Sequence, residues 1–319
     1  MWKTIFRRLL LMIPQIIILS ILIFIIAEFM PGDPFTGMID PNVDPAQIDA
    51  LREQFGLNDP LPVKYVRWVG NALQGDFGRS FNYKTDVLNV IGDRLGNTVR
   101  LSLLSTVLTY LIALPLGIFS GRYNDTLFDK GVIIYNFVSF AVPTFVLALL
   151  MVFVFGYNLG WFPSRGSIDV QASGFWEESW SRLYHLILPS ITTAILGTTS
   201  IIQFLRTEII DAKTSDYVKT ARSKGVPIDK VYTRHIFRNA SLPIASGFGY
   251  TIVNLLTGSI FIERIFNYSG MGNLFIESIL SRDYSVIFVL VLFYGILGLI
   301  GTLLSDLILM TVDPRIRID

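Results

Sequence analysis

The chain has 319 residues, 52% of them hydrophobic and 16% charged, with a formal net charge of +1 and no cysteine; its mean hydropathy is +0.54. So small and balanced a charge leaves no electrostatic footprint for nucleic acid, and the missing thiols exclude cysteine catalysis, disulfides and thiolate metal sites. The apolar residues gather instead into runs of about 20, the length that crosses a hydrocarbon core as a helix.

Six such runs predict an all-α integral membrane protein with transmembrane helices over 9–30, 99–120, 132–157, 186–205, 244–262 and 286–312. The first follows Lys3, Arg7 and Arg8, is too long for a signal-peptide core and lacks a small-residue cleavage site, so it is read as an uncleaved span. Residues 31–98 then carry helix punctuation. Asp44-Pro45 opens one helix and Gly56 closes it, Asp59-Pro60 opens a second that Gly75 closes, and Thr85 with Asp86 begins a third ending near Gly96. A small helical subdomain is expected there, and the residues leave two uses equally open, a structural lid or a docking platform. Gly117 and Gly121 in the second span, Ala245 and Gly249 in the fifth, and Gly295, Gly298, Gly301 and Ser305 in the sixth have the spacing of close helix packing in lipid.

The segment between the third and fourth spans holds Trp161, Phe162, Trp176, Trp180 and Tyr184, which suit an interfacial aromatic belt or, less in keeping with their setting, a stacking platform for sugars or bases. After the fourth span, residues 206–238 carry eight Lys or Arg, so the positive-inside rule puts this segment and both termini in the cytoplasm. Within it, Thr214 or Ser215 is expected to cap a helix starting at Asp216, Gly225 to stop it and Pro227 to start another running to Ala240. Tyr217, Ala221 and Lys224 share a face of the first helix. Such a helix serves equally as a ligand for a partner protein's groove or as an interfacial helix on anionic lipid.

Catalytic patterns are missing. Gly-Lys does not occur, so no phosphate loop exists, and His185 and His235 lie in no zinc-binding pattern. Glu28, Glu263, Arg264 and Asp306 sit near span ends, where charges are expected to reach water, which weakens an ion-coupled mechanism. Gln203, Asn254 and Thr257 either line a path or hydrogen-bond between helices, the commoner role of such groups.

The stretch TSDYVKTARSKGVP followed by RHIFRNASLP resembles the cytoplasmic coupling segment of bacterial ABC importer permeases, in its oligopeptide, dipeptide and nickel branch. FMPGDPF, QFGLNDPLPVKYVRWVGNALQGDFGRS, LGWFPSRG, HLILPSIT, GSIFIERIFNYSGMGNLFIESILSRDYSVI and VDPRIR agree in the same order, and the whole most resembles the B-type permease. The resemblance implies three parts: a first span with the N-terminus (1–30), an extracytoplasmic helical subdomain (31–98), and a five-helix permease core (99–319) containing a cytoplasmic coupling segment (206–241). It implies a multi-pass subunit of the bacterial cytoplasmic membrane that binds no cofactor and catalyses nothing itself. Partner ATPase subunits would use ATP and Mg, two of them gripping this chain and a second homologous permease. An extracytoplasmic peptide-binding protein would deliver oligopeptides, with dipeptides or a nickel chelate as the alternative cargo. Tyr217, Val218, Thr220, Ala221 and Arg222 would contact the ATPase, Gly225 and Pro227 would fix the lever's angle, and Ala221→Arg would abolish docking without disturbing insertion. The loops around Trp161 and Tyr268 would join the outer subdomain in receiving the binding protein. Lys219 stands where the wider importer pattern has a carboxylate, and it is not given that residue's role.

Overall fold

The computed structural model describes residues 2–29 and 59–312. Among them the chain is helical with no strand, the only strand-like feature being a bridge between Arg79 and Asp86. The expected helix between Asp44 and Gly56 and the FMPGDPF and VDPRIR motifs lie wholly or largely outside the described residues. Among the described residues five helices are long and apolar enough to cross a membrane, or six if one bent pair counts as a single span. The chain divides into two compact units, Met1–Leu95 with Leu274–Leu299 and Gly96–Asn273 with Ile300–Asp319.

The first unit contains α1 (Trp2–Glu28) and α2 (Leu61–Leu73). Pro60, not Asp59, occupies the N-cap of α2; Asp59 instead accepts from Arg67 at 2.6 Å, and Gly75 at φ 83° turns the chain out of the helix. Tyr65 and Trp68 on α2 pack with Phe24 of α1 and Phe288 in an aromatic cluster, and the Tyr65 hydroxyl meets Ser20 at 2.7 Å. The loop between α2 and the next helix is held by acids: Ser80 donates to Asp283, Asn82 N–H reaches the same carboxylate at 3.1 Å, and Tyr83 donates to Glu277 at 2.8 Å.

α3 (Val87–Arg122) runs unbroken through Gly96, where a stop was expected. A helical glycine costs about 1 kcal/mol but removes no hydrogen bond, so an apolar face on either side carries the helix through. The third expected span is broken: α4 (Leu127–Ala141) and α5 (Thr144–Met151, extended by a π-helical turn Val152–Asn158) meet at 101°. Pro143 lacks an N–H and pushes Val142 into extended backbone (ψ 119°), which ends α4 one residue earlier. α6 (Phe175–Lys213) crosses in one piece and continues well beyond the expected ends, from the tryptophan-rich loop to the coupling segment.

The basic segment after α6 forms α7 (Asp216–Ser223) and then α8, residues 228–240, which starts as Ile228–Lys230 and passes through a π-helical stretch Val231–Ile236 to Phe237–Ala240. Ser215 is the N-cap residue of α7 by position, yet its hydroxyl donates back to Ala212 O at 2.6 Å and caps nothing. α9 (Leu242–Thr257) and α10 (Ile260–Ile265) together make the expected fifth span, Leu242–Ile265, with Gly258 at φ 72° interrupting the helix between them. α11 (Met271–Ser281), not foreseen, precedes α12 (Tyr284–Val312).

Most of the expected glycines pack closely, whereas a Cβ at Gly298 would meet nothing within 4 Å. A Cβ at Gly117 would come within 2.9 Å of Leu205, and one at Gly121 within 2.8 Å of Ile209, so α3 and α6 approach with no room for a methyl group. Outward, Phe137, Phe140, Phe153 and Ile134 are exposed, as lipid-facing or partner-facing side chains are.

Candidate functional site

Two features of the second unit have the character of working parts: the coupling segment and a polar cavity. α7 is amphipathic, and its apolar side faces its own chain. Val218 and Ala221 are 3% and 6% exposed and pack with Ile209, Val231, Ile236 and Ala240. This corrects the reading of Ala221 as an outward docking contact: α8 folds back across α7 and covers Val218 and Ala221. Tyr217 remains 41% exposed, Thr220 and Arg222 are exposed beside it, and Lys219 pairs with Asp216 at 2.9 Å on the solvent side. Gly225 has φ 74°, a left-handed stop that a side chain would strain, and Pro227 is the N-cap of α8.

The segment is anchored beneath the membrane spans by a polar junction. Asp129, at the start of α4, is 1% exposed and takes both arms of Arg206 at 2.7 and 2.8 Å, with Ser120 Oγ and Asp125 N–H as further donors. Such a bidentate, fully hydrogen-bonded pair fixes geometry as well as charge. Lys213, at the end of α6, donates to Arg122 O at 2.7 Å and to Asn124 at 2.6 Å. Arg122 itself reaches Asp229 at 2.6 Å and lies over the rings of Tyr232 and Tyr123. Burial pushes the Tyr232 hydroxyl's pKa up, and the Arg122 charge partly offsets it. In the sequence, Arg206 and Lys213 counted only among the basic residues of 206–238 that set orientation, and Arg122, Asp129 and Asp229 were not singled out. Their signal was the coincidence of opposite charges at span ends.

The cavity, about 430 Å³, lies between α3, α6 and α9. Its walls carry Ser102, Ser105, Thr106, Thr109, Tyr110, Thr193, Thr251, Asn254 and Ser259, and no charged residue. Ser105 donates to Leu101 O at 2.7 Å and Thr193 to Pro189 O at 2.8 Å, so these hydroxyls satisfy their own protons on the helix and turn lone pairs elsewhere. Of the three expected path residues, Asn254 is here. Gln203 is not: it lines a separate crevice of about 320 Å³ with Asn136, Phe137, Phe140 and Phe204. Thr257 lines neither.

Two expectations around α10 fail. Glu263 is 0% exposed rather than wet: its carboxylate accepts from Thr98 Oγ1 at 2.8 Å and Asn273 N–H at 3.0 Å. Tyr268 is 1% exposed in a cluster with Leu188, Ile262 and Phe266, which removes it from any receiving surface, and burial raises its pKa. Trp161, Trp176 and Trp180 are exposed, while Phe162 packs against that same cluster. Among the described residues no group of His, Cys, Asp or Glu is arranged to hold a metal.

A profile for the inner membrane component of binding-protein-dependent transport systems matches residues 113–318, and that family's N-terminal profile matches 1–102. The chain belongs to this family. It is 38% identical to the oligopeptide transport system permease protein AppB of Bacillus subtilis, over 98% of both chains. A Brucella suis protein provisionally named a peptide permease is 36% identical over 98% of both chains, and the glutathione transport system permease protein GsiC of Salmonella paratyphi A is 32% identical over 99% of both. The chain is therefore a multi-pass ABC-importer permease of the peptide and nickel branch, a membrane component with no catalytic role of its own.

Proposed function

We propose that this permease forms half of an ATP-driven path for oligopeptides, with a second homologous permease forming the other half. An extracytoplasmic binding protein supplies the peptide, and two cytoplasmic ATPases bind α7 and its counterpart. The observation that carries the peptide reading is the uncharged, hydroxyl-walled cavity of α3, α6 and α9. A peptide offers an N–H and a C=O at every residue whatever its side chains, so a wall of lone pairs and one amide suits a varied cargo better than fixed charges would. The similarity to a protein named for oligopeptide transport agrees with this. Both termini and the coupling segment lie on the cytoplasmic side, the side to which the eight basic residues of 206–238 assign them.

Reconstituted in vesicles with its partner subunits and binding protein, the permease is expected to import labelled peptides of differing side chains only with ATP present. Uptake driven by an ion gradient without ATP would defeat the reading, and uptake of a nickel chelate but no peptide would move it to the alternative cargo. At the docking surface, Tyr217→Ala is expected to cut ATPase co-purification by about tenfold while thermal stability stays near wild type, because the side chain is half exposed. Ala221→Arg is expected to lower the melting midpoint as well, since it forces a charge into the packed side of α7. Wild-type melting of Ala221→Arg would refute that distinction.

A further inference from the structure

We propose that the cytoplasmic end of α3 is a strut that transmits displacement of α7 to the wall of the polar cavity. The inference rests on α7 being the ATPase contact, and it assigns Arg122, Asp229 and Lys213 as positioning residues of that coupling.

The residues on either side of α7 both attach to one point. Lys213, just before α7, is bonded to the carbonyl of Arg122, and Asp229, just after it, to the Arg122 guanidinium. A movement of α7 that shifts Lys213 or Asp229 therefore loads the last residue of α3 through two short bonds. Isolated surface ion pairs contribute little and the Asp229 side chain is 75% exposed, but Arg122 is 24% exposed and is held by two rings besides its carboxylate, which restricts the rotamers that would let the link slacken. Upstream, α3 has one weak place, Pro115, where a backbone hydrogen bond is missing. Gly117 and Gly121 seat the helix directly against Leu205 and Ile209 just below it, and Gly197 seats against Thr109 above it. The weak turn is thus backed on both sides by α6. Further along the same helix, Ser102, Ser105, Thr106 and Thr109 form the α3 wall of the cavity. Junction, backed helix and cavity wall are one continuous piece of chain.

Spatial continuity alone does not establish coupling, and a double-mutant cycle measures it. The complete transporter, with partner permease, ATPases and binding protein in vesicles, is made with Arg122→Ala, Asp229→Ala, both together, and Arg122→Lys. Each is assayed for ATPase co-purification, for hydrolysis stimulated by loaded binding protein, and for peptide imported per ATP. The single alanine variants are expected to keep their ATPases and hydrolysis but to import about fivefold less peptide per ATP, the lower end of ordinary coupling between sites. The double variant is expected to be no worse than the poorer single, and Arg122→Lys to retain most of the ratio. An unchanged ratio, additive losses, or loss of the ATPases from the single variants would overturn the strut. Failure of the wild-type assembly to bind any ATPase would instead refute the α7 reading, and the strut with it.

Discussion

Glu263→Ala is expected to leave far less folded permease in detergent than wild type, with a destabilisation of roughly 2–5 kcal/mol from a lost buried acceptor and the void behind it. The carboxylate is fully enclosed and ties three pieces of chain together. Thr98 on α3 donates to one oxygen, Asn273 N–H on α11 to the other, and Thr98 Oγ1 accepts in turn from Met271 N–H at 2.7 Å. Removing the acid takes the acceptor away from both donors inside a site that holds no bulk water. Glu263→Gln keeps the shape and one acceptor and is expected to fall less far. Size-exclusion profiles after heating report the order wild type, Gln, Ala; equal midpoints for wild type and Ala would show that the enclosure carries no stability.

Gly249→Leu is expected to be comparably damaging, by overpacking rather than by loss. A Cβ there would stand 2.5 Å from Ser305 Oγ and 2.8 Å from Gly301 O, with Ser305 N closer still. Two of those three atoms are backbone, which cannot rotate aside, so α9 and α12 must separate. Forced insertion of this kind costs about 1–3 kcal/mol or more, and in lipid the lost contact is the main force between helices. Gly247 on the same helix has open space around it, so Gly247→Leu provides the control and is expected to melt near wild type. Similar midpoints for the two leucine variants would contradict the close approach.

The spans were legible because lipid leaves the backbone no alternative to a helix, and apolar runs therefore announce themselves. Their continuity was not. Pro115 and Pro189 sit inside unbroken helices while Pro143 ends one, and nothing local in the sequence separates these cases. Burial does not separate them either: Pro189 is buried in α6, but Pro115 in α3 is exposed just as Pro143 is. In the coupling segment the stop at Gly225 and restart at Pro227 were readable from backbone chemistry. The covered face was not, because a helical wheel shows which residues are neighbours and says nothing of what lies opposite; α8 decided that Val218 and Ala221 face inward. Glu263 and Tyr268 were placed in water for a related reason. Their enclosure depends on Thr98 and Asn97, which lie far away in sequence.

The setting of Glu263 also constrains how this part of the permease can vary. Gly258, Gly270 and Gly272 each face the carboxylate so closely that a Cβ on Gly258 would collide with it, one on Gly270 would lie 2.5 Å from it, and one on Gly272 3.1 Å. The acid is not the sole barrier: a Cβ on Gly272 would also stand 2.9 Å from the Ile260 backbone, one on Gly258 2.8 Å from Thr98 Cγ2 and one on Gly270 2.5 Å from Thr98 Oγ1. The three glycines are therefore constrained from several sides at once, so altering the acid alone is not expected to make room for a side chain at any of them.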